Sequence, residues 1–478
     1  MAKSVKLNFI LNLINSASKI FFPLITFPYS ARVLGPDGIG QVNFYNSIIS
    51  YVLLFTSLGI PLYAIKEIST VRGSAQKINE TLIEIFILSG VLTLIGYVVV
   101  LILCVFVPQV YDNVNLFLIL SLTLLFSAIG CDWFYQGIED FKYITIRGII
   151  VKLVSLVFLF VFVKTKTDLI WYGIYWIISS VGGNLFNFYR LRKFSYVNLR
   201  ILKSIHPLRH IRPMLQLFTL NMIASIYLQL NTVMLGFFKD PIAVGFYTSA
   251  TKIITVVLTF SSSLGQVMLP RLSNLISLNK KAEFISLAQK SYNFTIAITL
   301  PICIGLMLTS RYVIMLLCGK EYVNSIIPAT ILSPVLIFSS LSNVMGTQIL
   351  YPLGKINTVI KSAIWGCLIN VLLNIILLEQ FSYIGAAISY CLAEFVVMFS
   401  LFIKNYKYIP IKFYNRDIAI YSFGSFVMGI ILLLLRNISL SSSLLLFLLF
   451  VTGIFVYLVI LICLRDSFSQ QIVRKISI

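Results

Sequence analysis

From Leu7 to Cys463 the chain is a succession of apolar runs, each about 20 residues or longer, separated by short polar turns. A run of that length crosses the hydrocarbon of a bilayer as a helix. The runs are continuous rather than alternating in polarity, which favours helices over a β-barrel, since a helix satisfies its backbone within each segment. About fourteen such segments can be read. With 59% hydrophobic and 11% charged residues, and a mean hydropathy of +0.96, the chain is too apolar to hide its side chains in a water-soluble core. The first run begins near Lys6 without a small-residue cleavage site, so a retained span is expected rather than a secretory signal. The seven cysteines lack metal-ligand spacing and sit in or beside apolar runs, which argues against disulfides and zinc.

The spans are expected at about 7–31, 40–64, 81–107, 115–137, 144–163 and 168–190, then at about 213–237, 244–270, 285–309, 325–350, 357–378 and 382–404. Two more follow near 417–436 and 442–464. This spacing reads as an all-α polytopic membrane protein with a six-helix lobe over 1–200, a second over 201–410, and an appended pair over 411–478 that faces lipid. Residue identity supports the repeat: a turn with Asp37 leads into FYNS (Phe44 to Ser47), and a turn with Asp240 leads into FYTS (Phe246 to Ser249). Six spans restore the starting side, so the two lobes are parallel repeats about an axis along the membrane normal. Pro23, Pro28, Pro301, Pro328 and Pro334 lie in or beside spans, where they permit kinks.

The formal net charge of +21 follows membrane topology rather than nucleic acid. With the first span leaving the cytoplasm, about 27 of the 37 Lys and Arg fall inside and about 7 outside, so both termini are expected in the cytoplasm. The basic connector from Arg190 to Arg212 and the loop with Lys404, Lys407, Lys412 and Arg416 also suit anionic headgroups. His206 and His210 share that connector and are expected to be solvated. No nucleotide-binding or catalytic motif is present, so neither an enzyme nor a cofactor is expected.

Charge inside the spans is the chemical signal. Lys19, Lys152 and Lys252 lie within apolar runs, against few acids (Glu84, Asp132 and Glu394). Such groups cost a few kcal/mol in hydrocarbon and normally face a bundle interior or water. Lys19 shares a helix face with Asn8, Asn12 and Asn15. Lys252 shares one with Thr248, Thr255 and Thr259, and the preceding span carries Asn221, Gln229 and Asn231. A lumen of Lys, Asn, Gln, Ser and Thr suits a hydroxylated anion. Against this, Asn and Gln stripes often bond helix to helix, and Arg147, Lys290 and Lys361 lie close enough to span ends to snorkel. Lys152 is placed to pair with Asp132, and Glu394 is either a counter-ion or, like Asp132, a coupling-ion site.

Four stretches carry a resemblance: FPYSARVLGPDGIGQVNFYNSI (Phe27 to Ile48), CDWFYQGIEDFKYITIR (Cys131 to Arg147), VGFYTSATKI (Val244 to Ile253) and QILYPLGKINTVIK (Gln348 to Lys361). Together they resemble the O-antigen and capsule flippases of the multidrug/oligosaccharidyl-lipid/polysaccharide superfamily, over about the first 400 residues. The resemblance implies two six-helix lobes around a V-shaped cavity in the bacterial inner membrane. It implies as partner an undecaprenyl-pyrophosphate-linked glycan, with a polysaccharide polymerase or chain-length complex beside it. Lys19 and Lys252 would take the pyrophosphate; Asn12, Asn15, Asn221, Gln229 and Asn231 would bond sugar hydroxyls; Lys152 and Arg147 complete the candidate set. Fourteen spans depart from the commoner twelve. Two relatives of the same fold are alternatives: a lipid II flippase, and a multidrug and toxin exporter, which would need acids where the first and seventh spans hold Lys19 and none.

Overall fold

A computed structural model describes residues 5–192, 194, 205–438 and 440–466; parts of the helices at 5–20, 216–228 and 260–266 are described by their backbone alone. Among the described residues nine helices are long and apolar enough to cross a bilayer, or eleven if two bent pairs each count as one span. The Val5–Ser57 helix is broken at Gly35, whose φ of 70° favours glycine, and the Ile356–Tyr406 helix is broken at Ser382. Counting each of these as two rods and adding Ile211–Phe238, the order is six rods, six rods and a final pair. That matches the all-helical polytopic expectation.

By contact the chain forms two compact units, Met1–Gly245 and Phe246–Ile478. In the first, Ile60, Ile68, Leu82, Ile85, Phe134, Tyr135 and Met214 pack one core. In the second, Phe284, Tyr292, Met345, Ile349, Tyr421 and Met428 form another. Outward faces keep large apolar groups exposed, such as Leu94 (68%), Phe106 (75%) and Phe447 (68%), as lipid contact requires.

The final helices, Arg416–Leu435 and Ser442–Cys463, do more than face lipid. Gly424 lets Tyr457 approach within 3.3 Å of a would-be Cβ, Gly429 does the same for Ile304 at 3.1 Å, and Tyr457 Oη donates to the Ala297 carbonyl at 2.7 Å. Such small-residue contacts drive helix association where lipid removes the hydrophobic incentive.

Three further breaks were not foreseen. The second rod stops at Leu58 and Gly59 (φ 40° and 76°) before Ile60–Val71 resumes. The fourth stops after Val114–Ala128 and restarts as Asp132–Gly137. The sixth bends by 47° between Leu169–Val181 and Gly183–Leu191. In each case glycine or a residue in the left-handed region takes the turn.

Candidate functional site

The side chains of Lys19, Asn12, Asn15 and Asn221 lie outside the described set. Just before Lys19, Ser18 is buried and accepts a hydrogen bond from Lys152 Nζ at 2.6 Å, and the same ammonium stands 5.6 Å from the Phe22 ring centroid. Lys152 is thus held against the first rod through a hydroxyl and an aromatic face, both of which accept positive charge. It does not pair with Asp132.

Asp132 is instead bonded to Arg147, Nη1 to Oδ1 at 2.7 Å, with Asn187 Nδ2 donating to the same oxygen at 2.6 Å. Arg147 also reaches the Gly183 carbonyl at 3.4 Å, and a Cβ at Gly183 would lie 3.0 Å from its Nε. The arginine is 10% exposed and the aspartate 45%. This pair therefore ties the fourth, fifth and sixth rods of the first unit together.

Gln229 accepts from Ser47 Oγ at 3.0 Å, linking the Ile211–Phe238 helix to the half of the first long helix that follows Gly35. Ser47 Oγ also lies 2.7 Å from the Asn43 carbonyl, so its single proton serves one acceptor at a time. Asn231 is buried, at 2% exposure. Two residues from Gln229, it falls about 200° around the helix and points elsewhere.

In the second unit Lys252 is half-buried on the Pro241–Ser277 helix. Around it Thr251, Thr255 and Thr259 donate to the carbonyls of Thr248, Thr251 and Thr255 at 2.8 to 3.0 Å. Their protons are spent on the helix, which leaves lone pairs on the outer side. Glu394 is buried at 6% exposure, one helical turn after Tyr390.

One cluster overturns a reading from sequence. His210 is fully buried rather than solvated, and Glu84 is 1% exposed against it. Glu84 Oε2 takes His210 Nε2 at 2.7 Å and Arg209 Nη2 at 2.6 Å, while Oε1 takes the His206 backbone N–H at 2.7 Å. Tyr63 Oη lies 2.6 Å from His210 Nδ1. The connector is pinned to the third rod through a buried carboxylate. The signal in the sequence was Glu84 itself, an acid ten residues into a long apolar helix. Asn370 and Asn374, fully buried and bonded at 3.0 Å, were also missed.

Comparison with known proteins follows the same lines. A protein of Escherichia coli strain K12, provisionally assigned as an O-antigen transporter, is 25% identical over 407 residues, covering 84% of this chain and 98% of its own. The capsular polysaccharide biosynthesis protein CapF of Staphylococcus aureus is 25% identical over 416 residues, covering 84% and 98%. In fold, the chain superposes on the lipid II flippase MurJ in its inward closed conformation with a TM-score of 0.73 at 17% identity, covering 96% of this chain and 99% of that one. An inward-facing multidrug transporter of the MATE family superposes at 0.64 and 14% identity, covering 81% and 93%. Those two likenesses establish the two-lobe transporter fold. The family model described as polysaccharide biosynthesis protein matches residues 5–276, more than half of the chain. With its helices and these relatives in agreement, this integral membrane protein belongs to the polysaccharide biosynthesis protein family, whose members are transporters rather than enzymes.

Proposed function

We propose that the chain is a flippase that moves an undecaprenyl-pyrophosphate-linked oligosaccharide repeat unit from the cytoplasmic to the outer leaflet of the inner membrane by alternating access, with both termini in the cytoplasm. The observation that carries this reading is the near full-length relationship to proteins named for O-antigen transport and capsular polysaccharide biosynthesis. The chemistry of the spans supports it. Lysines placed within apolar helices attract a pyrophosphate, and the amides of Gln229 and Asn231 suit sugar hydroxyls. Two negative charges leaving a negative interior gain roughly 4 to 5 kcal/mol per 100 mV, so the membrane potential alone gives direction. Glu394 is the carboxylate on which an added ion gradient would act, since Asp132 is already neutralised by Arg147, and a polysaccharide polymerase on the outer face is the partner that would receive the product.

The test is complementation of a strain that lacks this gene. The native chain restores surface polysaccharide; Lys19→Ala or Lys252→Ala lowers it about tenfold or more, the scale of one charged hydrogen bond to phosphate, while Lys252→Arg retains most of it. Export unchanged in both alanine variants would remove the two lysines from the pathway. A lipid II flippase shares the fold, and viability of the deletion strain separates the two.

A further inference from the structure

The three unforeseen breaks of the first unit, at Leu58 and Gly59, at 129–131, and at Gly182, surround one hollow of about 350 Å³. Irregular backbone at membrane depth persists only where it is buried in protein or lines a cavity, and spans interrupted around a polar cavity are where transporters place their ligands. Ser57, Ser89, Ser127, Asp132, Gln136 and Asn184 supply the polar part of its lining, and the rest is apolar, with Ile60, Ile65, Phe86 and Trp133 among the walls. Carbonyls released by the fourth-rod break are partly answered from the walls: Asn184 Nδ2 donates to Phe126 O at 2.9 Å and Ser89 Oγ to Ala128 O at 3.3 Å. Gly130 is held small, because a Cβ there would collide with Asn184.

Other groups are open toward the hollow. Both hydrogen bonds to the Asp132 carboxylate fall on Oδ1, and 45% of that side chain stays exposed. The Gln136 amide and the Ser127 hydroxyl engage no partner among the described residues. The available chemistry is thus a carboxylate oxygen, an amide that both donates and accepts, and hydroxyls.

Charge selects the class of ligand. Arg147 lies 2.7 Å from Asp132 and cancels it, so a cation entering here would meet a guanidinium beside its only carboxylate. An anion would meet the carboxylate first. A neutral group that donates and accepts hydrogen bonds meets neither objection. The hollow is more than ten times a water's share of about 30 Å³ and near the lower end of ligand pockets, about 300 to 1,000 Å³.

We infer that this hollow binds one neutral, pyranose-sized polyol: a sugar residue of the transported glycan, held by Asp132 Oδ2, Gln136 and Ser127. The inference rests on the flippase reading. On the orientation proposed above, the hollow lies in the cytoplasmic halves of its helices, where a lipid-linked glycan is loaded.

The full chain in lipid nanodiscs, examined by saturation-transfer NMR with the methyl glycosides of glucose, galactose and N-acetylglucosamine, tests it directly. At least one glycoside should bind saturably in the millimolar range, Gln136→Leu should weaken it about tenfold at an unchanged thermal midpoint, and Gln136→Glu should keep most of the binding. Absence of binding by all three, equal binding by Gln136→Leu, or a thermal midpoint raised by sodium ions and not by glycosides would each overturn the assignment. Complementation separates this from the parent reading: restored export without glycoside binding removes the sugar site alone, whereas glycoside binding without restored export removes the flippase and leaves the site.

Discussion

Glu84 shows how a buried charge is made tolerable. An ionised carboxylate in an apolar setting is costly unless its oxygens are filled, and here three donors fill them, two from side chains and one from the His206 backbone. Arg209 keeps 53% of its side chain exposed and so brings charge from the aqueous edge, while His210 is fully enclosed. Glu84→Gln keeps the shape but loses the charge-assisted bonds. We expect it to lower the stability of the purified protein by about 1 to 3 kcal/mol, read as a reduced thermal midpoint in detergent, with His210→Phe similar because it removes one of the three donors to Glu84 and the ring nitrogen beside the Tyr63 hydroxyl. A midpoint unchanged in both variants would mean that the connector is not anchored by this cluster. Arg147 follows the same logic: its value lies in joining Asp132, the Gly183 carbonyl and hence three rods.

At the level of elements, glycine decides where rods stop and how closely they meet. Gly40 faces the Pro241 carbonyl and Gly245 faces the Pro36 carbonyl, so the beginnings of two corresponding helices touch backbone to backbone inside the first unit. A methyl group at either position has no flexible neighbour to displace. Gly90, also within a helix, has nothing within 4 Å of a would-be Cβ. Gly40→Ala should therefore cost about 1 to 3 kcal/mol or more, whereas Gly90→Ala should be neutral or stabilise by about 0.5 to 1 kcal/mol through helix propensity. Parallel thermal melts of the two variants decide it, and equal midpoints would show that the helix starts can separate freely. Pro36 and Pro241 follow turns that carry Gly35 and Asp240, and Asp240 Oδ1 caps the Ala243 N–H at 2.7 Å. The two turns do the same work with different residues.

For the whole molecule, the orientation proposed above makes a prediction of its own. With both termini in the cytoplasm, as the excess of Lys and Arg in alternate loops suggests, the turn after the Pro241–Ser277 helix would lie inside and the turn at 163–168 outside. In a cysteine-free background, Lys280→Cys should be closed to a membrane-impermeant maleimide in intact spheroplasts and Lys166→Cys open to it. The reverse pattern would invert the direction of transport proposed above. The number of rods, the repeat and the family were all legible in the chain, because hydropathy, charge bias and short motifs are local sums that need no knowledge of contacts. The partners were not. Lys152 met Ser18 across 134 residues, Glu84 met His210 across 126, and Asp132 chose Arg147 over the lysine two turns inward. Helix periodicity gives the face on which a side chain stands, while the donor opposite that face depends on how separate rods rotate and tilt as they pack. The sequence by itself determined a fourteen-rod polytopic transporter with cations in its spans. Tertiary packing alone decided which of those charges are neutralised and where three broken helices open a polar hollow, because both depend on side chains far apart in the chain coming within hydrogen-bonding distance.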